Sequence, residues 1–430
     1  MAKERIIAGI DIGSSKIVTL IAQLPKESGQ VTVIGVSSMP ARGIKKGQVV
    51  DIDESVSALA SGLESAERMA GYSVSSAYIS VGGSQIASMN SRGVVAVSGP
   101  DGEITDEDIR RVTEAARAIS IPSSREIIHV VPRGFIVDSQ EGVKDPIGMS
   151  GVRLEVETHI ISGAATSLRN LSKIVNQIGV EVEDLVFSGL ASAESTLTDT
   201  EKELGVALVD IGGGTTDVSL FVDGSIAHSV VLPIGGKNIT NDLAIGLRVS
   251  LDTAEKIKIA LGRQHKKIIS PETSNQTAEE KKREDELDTS KLGLDEELAT
   301  ISRKTLTDGI IKPRLMELAT LIGMEIKKSG YGSLLPSGLV VTGGAAETVG
   351  LTEVFKDILR MPTRVAFPTG ATGLIDEIST PAYSAAIGLL LYGLRAEAFK
   401  QGGLGMPMIS GFKVKGTAGK LGGWLRSFMP

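Results

Sequence analysis

Short apolar runs alternate with polar turns along most of the chain, and one combination of run and turn occurs twice. In the first copy, residues 8–12 lead into the turn Gly13-Ser14-Ser15-Lys16, and a second apolar run follows at 17–24. In the second copy, residues 208–211 lead into Gly212-Gly213-Gly214-Thr215, and another apolar run follows at 218–221. Short apolar runs bounded by turn residues are typical of buried strands. The repeat therefore predicts two strand–turn–strand units and a duplicated α/β fold.

Helical patterns separate these units from one another. They predict helices at 53–70, 105–119 and 167–178, the first capped by Asp53 and the second opened by a capping box of Thr105 and Asp108. Many short strand-like runs surround the second helix, which indicates an inserted α+β subdomain. In the second half the pattern predicts a polar stretch at 263–291, helices at 295–329, a strand at 338–342 and an apolar segment at 381–394.

These elements divide the chain into two halves, each with an insertion. The first half comprises 1–82 and 163–195, with its insertion at 83–162. The second comprises 196–234 and 330–394, with its insertion at 235–329. Beyond 395 glycines accumulate and regular patterning is lost, so we expect a flexible linker at 395–418 before a terminal segment at 419–430.

Composition excludes several classes of function. The chain has 430 residues and a net charge of −7, which argues against nucleic acid as the main partner. It has no cysteine and four histidines, which excludes disulfides and thiolate sites and disfavours a histidine metal site. The N-terminus lacks the apolar segment of a signal peptide, and no apolar run approaches the roughly 20 residues that cross a bilayer. We expect a cytosolic protein.

The repeated turns have the chemistry of phosphate-binding loops. Glycine lets the backbone approach an anion closely, and consecutive N–H groups beside small hydroxyls form an anion-binding nest. Asp11 and Asp210, at the ends of their strands, can hold a divalent cation directly or through water. A third glycine turn, at 343–346, offers a flat backbone surface to a purine or a ribose. Together the turns predict a nucleotide held between two halves.

In order and spacing, the three turns resemble the phosphate-1, phosphate-2 and adenosine motifs of the actin-like ATPase superfamily. The resemblance implies duplicated actin-like (ribonuclease-H-like) domains that bind ATP and Mg²⁺, with connecting helices near 189–197 and 381–394. Asp11 and Asp210 would face the metal. The implied nucleotide contacts are Gly13, Ser14, Ser15, Lys16, Gly212, Gly213, Gly214, Thr215, Gly235, Gly236, Glu255, Lys258, Gly343 and Gly344.

The position that orients the attacking water departs from the filament-forming relatives. They commonly place Gln or Glu near the start of the first connecting helix, where this chain has Ser188. Glu194 stands one to two turns further along and, with Asp11 and Asp210, is a candidate catalytic group. Because water positioning is central to γ-phosphate hydrolysis, we expect tight ATP binding with at most slow hydrolysis.

The terminal segment has the spacing of an amphipathic helix. Its large apolar residues recur at helical intervals, and basic residues lie on the opposite face. Two internal glycines make so short a helix marginal in water, so we expect it to order on a membrane surface, where one tail attaches reversibly and several attach firmly. The predicted membrane contacts are Leu421, Trp424, Leu425, Phe428 and Met429, with Lys420 and Arg426 facing anionic headgroups.

Together with the insertion at 83–162, this tail resembles the FtsA family of bacterial cell-division proteins over essentially the whole chain. The resemblance implies a polymerising adaptor on the cytoplasmic face of the inner membrane at the division septum. Its implied partners are the C-terminal peptide of FtsZ, other copies of the chain, an anionic membrane surface and later division proteins. The peptide would dock on the insertion at 235–329, where Arg314, Lys312 and Arg303 are candidate contacts.

Two other functions compete with this interpretation. A related actin-like protein of pilus assembly shares the inserted subdomain but lacks a terminal amphipathic anchor, so the tail argues against it. A sugar or acetate kinase needs a carboxylate base in a substrate cleft, and no residue of the sequence stands out for that role.

Overall fold

The computed structural model describes residues 5–24, 30–119, 121–268, 285–287, 292–293, 301–400 and 409–410. Within them, three larger sheets organise the molecule, two belonging to the repeated halves and one to the insertion in the first half. The predicted terminal helix and most of the polar stretch at 263–291 lie outside the described residues. Among the helices of the described part, none is both long and apolar enough to span a bilayer.

The first half is built on a six-stranded sheet with the order β11-β6-β1-β2-β3-β19. A short hairpin, β4 and β5, follows β3. Because β1 and β2 are apolar on both faces and helices cover the sheet, every residue from Ile17 to Ala22 is buried. The strands are β1 (Arg5–Ile12), β2 (Lys16–Leu24), β3 (Val31–Pro40), β4 (Ile44–Lys45), β5 (Gln48–Val49), β6 (Ser76–Val81), β11 (Glu181–Phe187) and β19 (Ala371–Gly373).

The second half repeats this sheet without β19, in the order β14-β13-β12-β17-β18. In both halves the first strand pairs antiparallel with the second and parallel with a later strand, so Asp11 and Asp210 reach equivalent strand ends. The strands are β12 (Val206–Ile211), β13 (Thr216–Val222), β14 (Ser225–Leu232), β17 (Leu339–Thr342) and β18 (Thr363–Val365), with a separate pair, β15 (Glu286–Leu287) and β16 (Ile301–Ser302).

The insertion in the first half has its own sheet and core. Its order is β20-β8-β10-β7, with β9 on β8, and the helix predicted at 105–119 packs on it with the expected capping box of Thr105 and Asp108. The strands are β7 (Ala87–Ala96), β8 (Arg125–Val137), β9 (Gln140–Val143), β10 (Arg153–Ala164) and β20 (Ile409–Ser410).

The helices follow the predicted periodicity, with differences at their ends. They are α1 (Ile52–Ala70), α2 (Asp106–Arg117), α3 (Ala165–Gln177), α4 (Ser188–Thr196), α5 (Asp199–Leu204), α6 (Gly236–Leu247), α7 (Leu251–Ile268), α8 (Arg303–Leu306), α9 (Lys312–Ser329), α10 (Leu351–Leu359), α11 (Ile375–Ile378) and α12 (Ser384–Lys400). A π-helical turn, Thr307–Ile311, separates α8 from α9, so the predicted helical stretch is interrupted. Short 3-10 turns occur at Pro100–Gly102, Gly332–Leu334 and Pro381–Tyr383.

Two predicted boundaries are wrong. Asp51, rather than Asp53, caps α1, because its carboxylate accepts a hydrogen bond from the backbone N–H of Glu54 at 3.0 Å. At the other end of the chain, α12 continues to Lys400, six residues into the predicted linker. Arg395 forms an ion pair with Glu194 there, and this pair fixes the helix beyond its apolar part.

The two connecting helices, α4 and α12, pack against one another between the halves. Gly388 of α12 lies directly against the backbone of Ala191, where a Cβ atom would overlap the carbonyl oxygen. Ser195 of α4 donates a hydrogen bond to the carbonyl oxygen of Ser384 at 2.7 Å. This crossing places the carboxyl ends of β1 and β12 opposite each other and creates a cleft between the two repeated turns.

Candidate nucleotide-binding site

The two glycine turns face each other across the cleft and have the same local geometry. Each is closed by one backbone hydrogen bond, from Gly13 N–H to the Lys16 carbonyl at 3.1 Å and from Gly212 N–H to the Thr215 carbonyl at 2.9 Å. The turns also approach each other closely, since a Cβ atom on Gly213 would overlap Ser15 Oγ. Small residues are therefore required on both sides of the cleft.

Each turn carries a carboxylate that a serine holds in place. Ser80 of β6 donates to Asp11 Oδ1 at 2.7 Å and accepts from the N–H of Ile12 at 2.8 Å. Ser192 of α4 donates to Asp210 Oδ2. A serine from a neighbouring element thus orients each carboxylate, although Ser80 lies on a strand of the same half as Asp11 and Ser192 lies on the connecting helix α4.

The carboxyl groups lie in an environment that disfavours their charge. Burial raises the pKa of Asp11, against the opposing effects of the Ser80 hydrogen bond and the positive charge of Lys16. Burial also raises the pKa of Asp210 to about 6, and the nearby Asp11 adds to this effect. For Asp217, burial and the charges of Asp210 and Asp11 raise the pKa well above its ordinary value. Three acidic groups in one cleft indicate a place where a cation would stabilise the ionised forms.

Lysines provide the positive charge at the same place. Burial lowers the pKa of Lys16, whereas Asp11 and Asp210 act in the opposite direction. Lys237, at the start of α6, donates to the backbone carbonyl of Ser14 at 2.7 Å and so links the halves across the cleft. Ser14 Oγ in turn accepts from the N–H of Gly47 at 2.9 Å. The phosphate turns are therefore rigidly connected to their surroundings.

The third turn begins at the end of β17 and lies beside Asp210. Gly343 has φ of +90°, and a Cβ atom there would overlap Asp210 Oδ1, so only glycine fits without strain. Gly343 N–H donates to the carbonyl of Pro381 at 3.2 Å. The turn thus connects the second phosphate turn with the segment that leads into α12.

Polar groups from α6 and α7 form the opposite wall. Lys258 Nζ donates to Thr240 Oγ1 at 2.9 Å and to Glu255 Oε2 at 2.6 Å, and Thr240 also donates to Glu255. Lys258 further contacts the carbonyl of Gly236 at 3.3 Å. A hydroxyl, an ammonium and a carboxylate in one network can recognise the hydroxyls of a ribose or the edge of a base.

The cleft has a volume of about 640 Å³ and brings most of the predicted nucleotide contacts together. Gly235 packs behind the second turn against the backbone of Gly212 and Gly213, and Gly214 packs against Ser14. The predicted residues that line the cleft are Asp11, Gly13, Ser14, Ser15, Lys16, Asp210, Gly212, Gly213, Thr215, Gly236, Glu255, Lys258, Gly343 and Gly344.

Glu194, a candidate catalytic group in the sequence, does not line the cleft. Its buried carboxylate forms ion pairs with Lys202 at 3.8 Å and with Arg395 at 2.6 Å. The prediction is wrong because Glu194 occupies the face of α4 that points away from the cleft, toward α5 and the end of α12. Its role is to hold these helices together.

Asp217 is the acidic residue that sequence reasoning missed. It lies on β13 directly opposite Asp210, is 7% exposed, and its Oδ1 has no hydrogen-bond partner among the described residues. Ser188 also lines the cleft, and a Cβ atom on Gly82 would lie 3.0 Å from Ser188 Oγ and 3.8 Å from Asp217 Oδ2. In the sequence Asp217 is the last residue of the second copy of the repeated motif, and this position could have identified it as a site residue.

The predicted partner cations lie elsewhere, on the insertion of the second half. Arg303 and Lys312 line a second cavity of about 370 Å³ beside α10. Arg303 Nε is buried and has no hydrogen-bond partner among the residues that the structure describes. Arg314 is instead held by Asp242, at 2.7 and 2.9 Å, and by Glu317, so it joins α9 to α6.

Comparison with known protein families gives two matches along the chain. The family described as an SHS2 domain inserted in FtsA matches residues 83–162, and the family described as cell division protein FtsA matches residues 207–388. Cell division protein FtsA of Pseudomonas aeruginosa is 40% identical over 394 residues, which cover 92% of this chain and 90% of that protein. The proteins of the same name from Bacillus subtilis and Escherichia coli are 35% and 33% identical, over 92% and 90% of this chain and 85% and 90% of their own lengths.

Solved structures share the fold at low sequence identity. A chain of the PilM–PilN type IV pilus biogenesis complex aligns with a TM-score of 0.62 and 16% identity, covering 90% of this chain and 98% of its own. MreB5 of Spiroplasma citri bound to ADP aligns with a TM-score of 0.53 and 14% identity, covering 93% of this chain and 99% of its own. Both support the predicted actin-like architecture.

Proposed function

The chain belongs to the FtsA family of bacterial cell-division proteins, and from this premise we propose that it binds ATP and Mg²⁺ between its halves and tethers FtsZ filaments to the inner membrane. The observation that carries the nucleotide part is the pair of matched glycine turns facing each other across a cleft of about 640 Å³. The kinase alternative identified from the sequence is not favoured by the family relationship. The pilus-assembly alternative shares only the fold, at 16% identity.

In the proposed complex each turn holds one side of the phosphate chain. Backbone N–H groups of 14–15 and 213–215 would donate to phosphate oxygens, and Lys16 would face the β and γ phosphates. Gly343 and Gly344 would support the adenosine, with Gly236, Glu255 and Lys258 beside the ribose. Because the cleft connects both halves, a bound nucleotide would fix the angle between them.

The carboxylates fit a magnesium ion held mainly by phosphate and water. Among the described residues, no group of three or more His, Cys, Asp or Glu side chains has the geometry of a metal site. Mg²⁺ commonly takes one or two carboxylates and fills its remaining positions with waters and substrate phosphates. Asp11 and Asp210 would supply the carboxylates, directly or through water, and the ion would neutralise phosphate charge.

We propose that hydrolysis is slow and that the nucleotide serves chiefly as an assembly ligand. Ser188 stands where filament-forming relatives commonly have Gln or Glu, and Glu194 is engaged in ion pairs. Asp217 is then the remaining buried acid beside Ser188, and burial together with the charges of Asp210 and Asp11 raises its pKa. Turnover by the purified protein at the rate of a metabolic kinase would contradict this proposal.

The function is tested by ATP-dependent assembly of the full-length protein on a lipid monolayer, with and without the FtsZ C-terminal peptide. We expect ordered polymers with Mg-ATP and recruitment of the peptide to them. The Asp210→Asn variant should bind the monolayer yet fail to assemble, because the metal ligand is lost. Assembly by this variant as readily as by the wild type would contradict the role of the cleft.

For the peptide partner, we propose the second cavity as the docking site. A C-terminal peptide brings its terminal carboxylate, and Arg303 and Lys312 provide cations in a partly apolar cavity that three carboxylates also line. Arg314 contributes by holding α9 against α6 through Asp242. We expect Arg303→Glu to weaken peptide binding at least tenfold, since an attraction becomes a repulsion. The matched control is Lys328→Glu at the opposite end of α9, which should bind the peptide like the wild type.

Membrane attachment is proposed from the terminal segment 419–430, which lies outside the described residues. Burial of its large apolar side chains, at ~1.5–3 kcal/mol each, is largely offset by the cost of ordering the segment, so one tail binds reversibly and a filament binds firmly. Co-sedimentation with anionic liposomes should be lost when the chain ends at Lys415. Equal sedimentation of both forms would overturn the anchor. Location at the septum and contact with later division proteins belong to the same proposal.

A further inference from the structure

The ammonium group of Lys16 rests on an aromatic ring. Its Nζ lies 3.7 Å from the ring centroid of Tyr383, well within the range of a cation–π interaction. Lys16 also lines the cleft, so one side of the ammonium contacts the ring while the side chain remains at the nucleotide site. In the part of the chain that the structure describes, Lys16 forms no ion pair within 4 Å of a carboxylate, although the charges of Asp11 and Asp210 act on it from further away, so the ring is its direct contact.

Tyr383 is fixed by the turn that carries it. It ends the 3-10 turn Pro381–Tyr383, and its N–H donates to the carbonyl of Thr380 at 3.0 Å. The carbonyl of Pro381 in the same turn accepts a hydrogen bond from the N–H of Gly343 in the third glycine turn. The next residue, Ser384, bonds to Thr342 at 2.6 Å and begins α12. The ring therefore belongs to a rigid segment that contacts the nucleotide cleft at two places.

We propose that Tyr383 is a positioning residue, which holds the Lys16 ammonium toward the cleft so that it discriminates a nucleoside triphosphate from a diphosphate. The inference rests on the proposed nucleotide function and deepens it. The ring supports the ammonium from one side, and the N–H donors on the other side remain available to the terminal phosphate. A lysine without this support would sample several rotamers and lose discrimination.

A neutral ring suits this role better than an acidic side chain. The ring face attracts a cation without carrying a charge, so Lys16 keeps its full positive charge for an incoming anion. A carboxylate partner would compete with the phosphate for the same ammonium. Burial, which lowers the pKa of Lys16, also strengthens the contribution of the ring because little water competes for the ammonium.

The experiment compares the affinities of the purified full-length protein for Mg-ATP and Mg-ADP by titration calorimetry. Tyr383→Leu and Tyr383→Met should lower the ATP-to-ADP affinity ratio by roughly three- to tenfold, whereas Tyr383→Phe keeps the ring and should retain the wild-type ratio. Substitution of a residue that merely supports the fold would weaken the affinities for both nucleotides alike. Tyr72→Leu removes a 40% exposed tyrosine that does not line the cleft and should leave the ratio unchanged.

A double-mutant comparison tests whether Tyr383 acts through Lys16. In a Lys16→Met background, Tyr383→Leu should cause no further change in the ratio. The inference would be overturned if the ATP-to-ADP affinity ratio of Tyr383→Leu and Tyr383→Met stayed unchanged or increased. A further loss of the ratio in the Lys16→Met background would overturn it as well. Failure of both variants to fold while Tyr383→Phe folds would assign the ring a structural role and overturn it as well. If the wild type binds neither nucleotide, the proposed function fails instead.

Discussion

At the scale of single residues, Asp210 links the acidity of the cleft to metal binding. It lies on β12 opposite Asp217, and burial raises its pKa to about 6. A proton and a divalent cation therefore compete for this carboxylate. We expect the Mg²⁺-dependent affinity for ATP to be full at about pH 7.5 and to fall, by roughly tenfold per unit, once the pH drops below about 6. Titration calorimetry at several pH values with saturating and absent Mg²⁺ measures this change.

The control for this prediction is Asp210→Asn, which has no titratable group at that position. We expect its remaining nucleotide affinity to be weaker and to depend less on pH across the same range, since only Asp11 and Asp217 of the three buried carboxyl groups still titrate in the cleft. A wild-type affinity that stays constant down to about pH 5 would show that the proton on Asp210 does not compete with the metal.

Gly343 provides a second test at this scale. Its φ of +90° and the overlap of any Cβ atom with Asp210 Oδ1 predict that Gly343→Ala lowers the free energy of unfolding by ~1–3 kcal/mol. The neighbouring Gly344 is the matched control, because a Cβ atom there meets only Ala382 at an ordinary 3.8 Å. Denaturant unfolding of both variants should separate them. Equal stability of the two would refute the explanation by strain and overlap.

The sequence predicts the glycine turns of the site and two of its acidic residues, but not the roles of Asp217 and Glu194. The glycines and Asp11 and Asp210 are visible because each follows a buried strand in the same pattern. Asp217 becomes significant only through the register of β12 and β13, which places it opposite Asp210. Glu194 has a suitable residue type and spacing, yet the rotation of α4 turns it toward Lys202 and Arg395. Helix rotation and strand register depend on tertiary packing.

At the scale of elements, the crossing of α4 and α12 depends on one glycine. A Cβ atom on Gly388 would overlap the carbonyl oxygen of Ala191, which is backbone and cannot rotate away. We expect Gly388→Ala to push the helices apart and to lower the free energy of unfolding by ~1–3 kcal/mol or more. Because this crossing joins the halves, affinity for ATP should fall as well. Thermal unfolding and nucleotide titration measure both effects.

Gly62 of α1 is the matched control for this substitution. It is also a buried helical glycine, but a Cβ atom there would have its nearest neighbour at 3.5 Å, an ordinary contact. Gly62→Ala should therefore raise stability by ~0.5–1 kcal/mol, since alanine has the higher helix propensity. A loss of stability at Gly62 similar to that at Gly388 would mean that backbone overlap is not the cause.

The ends of the helices depend on tertiary contacts that the hydrophobic pattern of the sequence does not show. The apolar run at 381–394 predicted α12, and the ion pair of Arg395 with Glu194 carries it further than its apolar residues do. Likewise, Asp51 and Asp53 both precede an amphipathic pattern, and only Asp51 has the extended backbone of a cap. Existence and type of these helices follow from local sequence, whereas their limits follow from tertiary neighbours.

At the scale of the whole molecule, the inserted subdomain docks on the second half through a polar interface. His159 of β10 bonds to Asn90 at 2.7 Å and, across the interface, to Ser229 of β14 at 2.9 Å. Ser88 of β7 donates to the carbonyl of Ser229 at 2.7 Å. The sequence predicts the insertion, but this docking could not be predicted, because it joins polar residues far apart in the chain with no shared pattern.

His159 makes this interface sensitive to acid. It is 1% exposed, and burial, together with the nearby His228 and Arg133, lowers its pKa to about 3 from an ordinary value near 6.5. The charged and titratable groups facing this region are Arg133, Glu157, His228 and Tyr331, with Glu325 and Lys328 beside His228. Because the docked state binds the neutral ring, its stabilisation is complete above about pH 6.5 and is lost progressively as the pH falls toward 3.

We therefore expect hydrogen exchange in β7 and β14, normalised to intrinsic rates, to increase below about pH 6.5. The lowered pKa of His159 corresponds to a few kcal/mol of docking free energy at most, since each pKa unit is about 1.4 kcal/mol. His159→Gln should reduce the pH dependence at this interface to the part contributed by His228. His129→Gln is the control, because His129 has the same lowered pKa but accepts from the backbone N–H of Phe187 on β11, away from the interface with the second half. Acid-independent exchange in the wild type would show that the interface does not depend on a neutral His159.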